Sequence, residues 1–192
     1  MKSTVRTFIA VELDEAVRAR AAELIGVLRA APADVKWVDT HNLHLTLKFL
    51  DEVPLTEIPA VCAAVGAAAG KVEPFDIEIR GAGAFPNAGR PRTIWLGAGK
   101  GVEAMATLHK HLEDALAKLG FRKEHRRFQA HLTIGRVRGG GPAIKQLGDL
   151  LWQYADFDAG PLGVDEMVVF SSQLERTGPV YEALGRAPLG KS

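Results

Sequence analysis

Two stretches, NLHLTLKFL (Asn42–Leu50) and FQAHLTIGRV (Phe128–Val137), carry the same His-Leu-Thr triplet inside apolar runs. Alternation along a strand puts His44 and Thr46 on one face, with Leu43, Leu45, Leu47 and Phe49 on the other. It does the same for His131 and Thr133 against Leu132 and Ile134. Each stretch is therefore predicted to be a strand that buries its aliphatic side chains and presents an imidazole and a hydroxyl together.

Working outward, TFIAVEL (Thr7–Leu13) reads as a buried strand. Asp14 is placed to cap a helix whose apolar face is Val17, Ala21, Leu24, Ile25 and Leu28. A second helix is predicted over Thr56–Ala69 and a strand over Phe75–Ala82, then a turn-rich loop, Gly83–Arg92. Thr93–Ala98 (TIWLGA) is another strand. Val102, Met105, Leu108, Leu112, Leu116 and Leu119 mark the next helix, stopped at Gly120. A helix over Ala143–Tyr154 and strands over Glu166–Ser172 and Val180–Arg186 complete the reading. Strand, helix, then a His-Leu-Thr strand thus occurs twice. Ile9 stands before His44 at nearly the spacing at which Trp95 stands before His131, so the pattern reads as an internal duplication bringing equivalent strands face to face.

The composition sets limits on function. The 192 residues are 47% apolar with a formal charge of +1, which indicates a folded domain without the strongly basic face that long nucleic-acid tracts require. A nucleic-acid substrate would be grasped at an end. The start of the sequence is too short and polar for a signal peptide, and no apolar run approaches membrane-spanning length, so a soluble cytoplasmic protein is expected. Cys62 is read as a buried, inert thiol.

Two imidazoles and two hydroxyls suit one class of reaction. Opening a cyclic phosphodiester with water needs a base for the water and an acid for the leaving ribose oxygen. Histidine titrates near neutrality, so one ring can be neutral while the other is charged. Hydroxyl donors can stabilise the negative charge on the phosphoryl oxygens in the transition state, and no metal or other cofactor is needed. The alternative for such a pair is a polar His/Thr couple on the solvent face of an antiparallel sheet.

The segments KWVDTHNLHLTLKFLDEV (Lys36–Val53) and FQAHLTIGRV resemble the RNA 2',3'-cyclic phosphodiesterases, also called 2'-5' RNA ligases, of the two-histidine phosphoesterase superfamily. The resemblance extends from TFIAVEL through RPRTIWLG to SSQLERTGPVYEALGRAPL. It implies an α+β fold in which residues 1–192 form one domain of two intertwined, pseudo-symmetric lobes. Two antiparallel sheets would line a central cleft, with helices packed outside. It also implies catalytic roles for His44 and His131, phosphate binding by Thr46, Thr133 and Arg136, and hydrolysis of RNA 2',3'-cyclic phosphate ends to 2'-phosphates. Some members of the family join 2',5' ends in reverse. In this reading His44 is the acid and His131 the base. Two flanking residues depart from the family pattern, Ala130 where proline is usual and Asp51 where glycine is usual.

Strict alternation puts Lys48, not Arg136, on the motif face. A bulge at Gly135 would turn Arg136 toward the cleft, where its planar guanidinium could grip two phosphate oxygens. Smaller readings follow. His109 and His111 point to different helix faces and are not metal ligands, and His41 is unassigned. GAGKG (Gly97–Gly101) lacks the residues of a phosphate loop. Arg122, Lys123, His125, Arg126 and Arg127 form a solvated basic connection that could guide the RNA backbone. Phe85 and Tyr181 are candidates to stack a terminal base. The partner is then an RNA end or small nucleotide met by a monomer. The competing readings are the same chemistry on a small cyclic phosphate or 2',5'-oligonucleotide, and a non-catalytic module that binds RNA ends.

Overall fold

The computed structural model describes residues 3–190. Its elements in chain order are β1 (Thr4–Glu12), α1 (Glu15–Leu28), β2 (Val35–Trp37), β3 (His44–Pro54), α2 (Ile58–Ala69), β4 (Phe75–Phe85) and β5 (Thr93–Ala98). There follow α3 (Val102–Ala117), β6 (Leu132–Val137), α4 (Ala143–Gln153), β7 (Asp158–Val164), β8 (Glu166–Glu175) and β9 (Gly178–Pro188). The first sheet has the order β3-β1-β8-β9 and the second β2-β6-β5-β4-β7. Every pairing is antiparallel. The architecture is α+β, and no helix is long and apolar enough to cross a membrane among the described residues.

Asp14 caps α1 as expected, accepting the Val17 amide at 2.8 Å. All five apolar residues of the α1 stripe are buried. That stripe packs on β7, in the second sheet, although α1 follows β1 of the first. α2 packs on β8, β9 and α3, while α3 reaches back to Lys48 on β3. One cluster of buried residues consequently includes Ile9 and Leu45 of the first sheet, Ile94 and Leu132 of the second, and side chains from all four helices. Each fully buried leucine in it contributes about 2 kcal/mol by removal from water.

The repeat is visible in the register. Ala10 pairs with Thr46 and Ile9 with Lys48, skipping Leu47; Trp95 pairs with Thr133 and Ile94 with Gly135, skipping Ile134. Each motif strand therefore carries a one-residue bulge at the same place. Ala10, not Ile9, is the equivalent of Trp95.

The bulges correct two readings of β3. After Leu47 the faces exchange, so Lys48 turns into the interior (5% exposed) and Phe49 turns out of it (54% exposed). Other differences have local causes. Phe128–His131 is not strand, since β6 begins at Leu132, where its pairing with β5 starts. β2 and β7 went unread because they are short or broken by Gly160, Pro161 and Gly163. Both lie at sheet edges, where a missing amide is tolerated. β4 continues through Gly83 to Phe85, because Gly83 leaves room for the Trp95 ring; a Cβ there would come within 2.3 Å of it. α3 ends at Ala117, and Leu119 beyond it is exposed. Cys62 is half-buried rather than buried, with its sulfur against Gly185, and desolvation raises its thiol pKa.

Asp51 has φ 55°, the left-handed region. A glycine usual at this place is thus explained by backbone geometry. Asp51→Gly is expected to raise the unfolding free energy by about 0.5–1 kcal/mol, whereas Asp51→Val should lower it by more than about 1 kcal/mol. Urea unfolding of the two variants checks the sign of each.

Candidate active site

The face of the first sheet opposite the main core carries a second cluster: Phe8, Ala10, Val168 and Phe170, with Tyr181 against it. Thr46 is opposite Ala10 and shares this face. In the second sheet, Thr133, Trp95 and Gly83 lie in one cross-strand row, and Arg136, Thr93 and Phe85 in the next. β3 and β6 run beside each other with Cα atoms within 8 Å, although they belong to different sheets. The two motif strands therefore meet along the cleft between the sheets.

The imidazoles are held in the same way. His44 Nδ1–H donates to the Asn42 carbonyl at 2.6 Å, and His131 Nδ1–H to the Gln129 carbonyl at 2.7 Å. A carbonyl only accepts, so Nδ1 carries the proton and Nε2 is left for a ligand. The Asn42 segment is itself anchored. Arg18 donates to the carbonyls of Thr40 (2.7 Å) and Leu13 (3.1 Å), and Asn42 Nδ2 donates to the Pro179 carbonyl at 2.9 Å. Among the described residues, neither the Thr46 nor the Thr133 hydroxyl bonds to another protein group, so both half-buried donors are free for a ligand.

The surroundings of the rings differ. His44 sits 4.8 Å from Phe8, 5.2 Å edge-on from Tyr181 and 6.3 Å from Phe170, between ring centroids. His131 has Phe85 edge-on at 5.0 Å. Desolvation by this cage lowers the pKa of His44, and the hydrogen bond to Asn42 offsets part of it. The Tyr181 phenol is raised by burial, with Arg136 and Arg6 acting in the opposite sense, which puts both guanidiniums near the His44 end of the cleft. Arg136 also makes a long contact, 3.5 Å, with Thr93 Oγ1 of the row that ends at Phe85.

The five expected residues, His44, Thr46, His131, Thr133 and Arg136, thus lie along the cleft, while Lys48, which strict alternation alone had put on the motif face, does not. The bulge at Ile134 turns Arg136 toward Thr133's face, while the equivalent bulge turns Lys48 away. Lys48 pairs with Glu113 in the interior at 2.6 Å and is not available to a ligand. Gly135 is not what permits the bulge, since Lys48 occupies the same place in the other half. Its missing side chain makes room for Trp37, whose ring a Cβ would approach to 2.8 Å. The basic run is exposed, with Lys123 paired to Asp114. Phe8, Phe170, Arg6 and Phe49 were not anticipated in the cleft. TFIAVEL is apolar on both strand faces, the signature of a strand covered on both sides. Among the described residues, no three His, Cys, Asp or Glu side chains gather as a metal set.

Burial also lowers the pKa of His109, against partial opposition from Glu113. With the folded-state values of His44 and His109 below 6.5, the unfolded chain takes up protons first as pH falls. Stability is therefore expected to decline from about pH 6.5 down to the depressed values. Urea midpoints measured from pH 7.5 to 5 should show it, and His109→Gln should flatten part of the slope.

Two antiparallel sheets, each presenting one His-x-Thr strand in equivalent register at a shared cleft, define a two-histidine phosphoesterase fold. The family model of the 2'-5' RNA ligase superfamily matches residues 8–174. An RNA 2',3'-cyclic phosphodiesterase of Methanothermobacter thermautotrophicus is 38% identical over 177 residues, covering 92% of this chain and 95% of that protein. One from Thermotoga maritima is 32% identical over 179 residues, covering 93% and 92%. The crystal structure of TT0787 of Thermus thermophilus matches with a TM-score of 0.79 at 30% identity, covering 97% of this chain and 99% of that one. Escherichia coli LigT in apo form shares the fold, with a TM-score of 0.77 at 24% identity, over 98% of this chain and 99% of that one. The chain belongs to the 2'-5' RNA ligase superfamily.

Proposed function

We propose that this protein hydrolyses 2',3'-cyclic phosphate ends of RNA to 2'-phosphates, with residues 1–192 acting as one unit of two intertwined lobes. The observation that carries the reading is the matched pair of imidazoles, each with Nδ1 tied to the carbonyl two residues back and Nε2 free. His131 Nε2 takes a proton from water, whose oxygen attacks phosphorus. The bond to the ribose 3'-oxygen breaks, and His44 Nε2–H protonates that oxygen, leaving a 3'-hydroxyl and a 2'-phosphate. The Thr46 and Thr133 hydroxyls and the Arg136 guanidinium hold the phosphoryl oxygens as charge builds. With a 5'-hydroxyl RNA end attacking phosphorus in place of water, its proton passing to His131 and the bond to the 3'-oxygen breaking, the same groups join 2',5' ends. Burial disfavours an imidazolium at His44 in the free protein. The negative phosphodiester offsets this on binding, so His44 gains its proton as the substrate arrives. The near-neutral overall charge suits capture of an end rather than a tract.

The test is an oligonucleotide with a 2',3'-cyclic phosphate end, incubated in excess EDTA beside a small 2',3'-cyclic nucleotide. Full activity in chelator, with a 2'-phosphate product by phosphorus NMR and the oligonucleotide preferred, is expected. Activity lost in EDTA and restored by a divalent ion would rule out the two-histidine mechanism. Preference for the small nucleotide would move the substrate away from RNA.

A further inference from the structure

The segment Phe121–His131, between α3 and β6, delivers His131 to the cleft with no strand or helix of its own. Its position depends on contacts with the elements behind it. Lys48 Nζ donates to the Arg122 carbonyl at 2.9 Å, and Glu113 Oε2 accepts the Glu124 amide at 3.0 Å. The Phe128 ring stacks on His109 at 4.0 Å, with the planes 10° apart. At the centre, Lys48 Nζ and Glu113 Oε1 are 2.6 Å apart, with side chains only 4% and 8% exposed.

Lys48 belongs to the strand that presents His44 and Thr46. The bulge after Leu47 sends its side chain to the opposite face, where it meets the arm carrying His131. We propose that the buried Lys48–Glu113 pair is a positioning device that sets His131 relative to His44. The proposal rests on the two-histidine reading above. A buried ion pair is a poor way to gain stability, because well-packed apolar side chains of similar volume do as well or better. What the charges supply is direction: they fix two peptide groups of an otherwise irregular arm, which methyl groups cannot do. Nor does the repeat require a charge here, since the equivalent place in the other half is Gly135. A displacement of about 1 Å at a reacting group is enough to cost on the order of 10²-fold in rate. The pair's contacts lie on the arm and behind it, with Glu113 Oε1 also 3.6 Å from Nε2 of His109, the ring on which Phe128 stacks, so it acts through the arm that carries His131.

The test is the double variant Lys48→Met/Glu113→Leu, which removes both charges without leaving one unpaired. It is expected to fold, with kcat on cyclic-phosphate RNA lowered about 10–10²-fold and KM within about threefold. Amide exchange at Arg122–His131 should quicken, and the nitrogen NMR titration of the His131 ring should shift. If the double variant fails to fold, Glu113→Asp is used; it keeps a carboxylate opposite Lys48 while drawing it back from the Glu124 amide, and should show the same changes in smaller degree. A folded variant with unchanged exchange, unchanged His131 titration and normal kcat overturns the proposal. The exchange and ring measurements need no turnover. If the unaltered protein proves inactive on cyclic phosphates, they still decide the positioning role while the functional reading falls separately.

Discussion

His131→Ala is expected to lower turnover of cyclic-phosphate RNA by about 10²–10⁴-fold with the fold retained, the usual range for loss of a general acid or base. The ring lies beside the main core, and its hydrogen bond inside the protein is to the Gln129 carbonyl, so its removal costs little packing. His44→Ala should match it in rate and also lose contacts with Phe8, Phe170 and Tyr181, destabilising the protein by about 1–2 kcal/mol. The pH profiles of the unaltered protein separate the two rings. Since kcat/KM reports the free protein, one limb of its bell should lie below pH 6.5, where burial puts His44. In kcat, which reports the complex, the phosphate's charge should move that limb to higher pH. His44→Ala should abolish it. A folded His131→Ala protein with near-normal turnover would defeat the mechanism, and identical limbs in both profiles would defeat the coupling of His44 to bound phosphate.

Arg136→Ala is expected to cost about 10²–10³-fold, the size of effect seen when one donor to a developing oxyanion is lost. Arg136→Lys should recover only part of this, remaining at least about 10-fold down, because an ammonium cannot offer two parallel donors to two phosphate oxygens. The same variants should bind inorganic phosphate more weakly. If both turn over normally, the guanidinium is a surface charge beside the cleft and nothing more. Alanine at Lys48 gives a different kind of result. It leaves Glu113 charged and buried without its partner, so stability falls by about 3–5 kcal/mol, and it frees the Arg122 carbonyl, so turnover falls as well through the arm that carries His131.

The elements that follow from side-chain period were legible beforehand, and those that follow from pairing were not. Asp14 and the α1 stripe are local signals, and both were read correctly. His44 and Thr46 were legible together because alternation holds up to Thr46; in the other half it holds only over Leu132 and Thr133, and His131, one residue before β6, is held by the Gln129 carbonyl instead. One residue after each threonine the strand bulges against its neighbour. A bulge is a property of two strands, which is why Lys48 and Phe49 were assigned to the wrong faces while Arg136 required a conjecture. Gly83 and Gly135 illustrate a related limit. Both look like breaks in a single chain, and both are places where a tryptophan ring from an adjacent strand needs room. The aromatic cage of His44 was hidden for the same reason: Phe8 comes from β1, while Phe170 and Tyr181 come from the β8–β9 hairpin far along the chain.

The matched bulges have a consequence for how a substrate must lie. A cleft with a true twofold axis would take a cyclic phosphate equally well in either orientation, with the two imidazoles exchanging tasks. Just past each bulge the halves stop matching: one presents the guanidinium of Arg136 and the other the phenyl ring of Phe49. One half of the repeat therefore offers a charge to an anion and the other a flat apolar ring to a surface such as a base. That unmatched pair, with the aromatic cage present around His44 alone, gives the site a polarity that two copies of one motif could not have. In the proposed reaction this polarity would set which ribose oxygen meets which histidine.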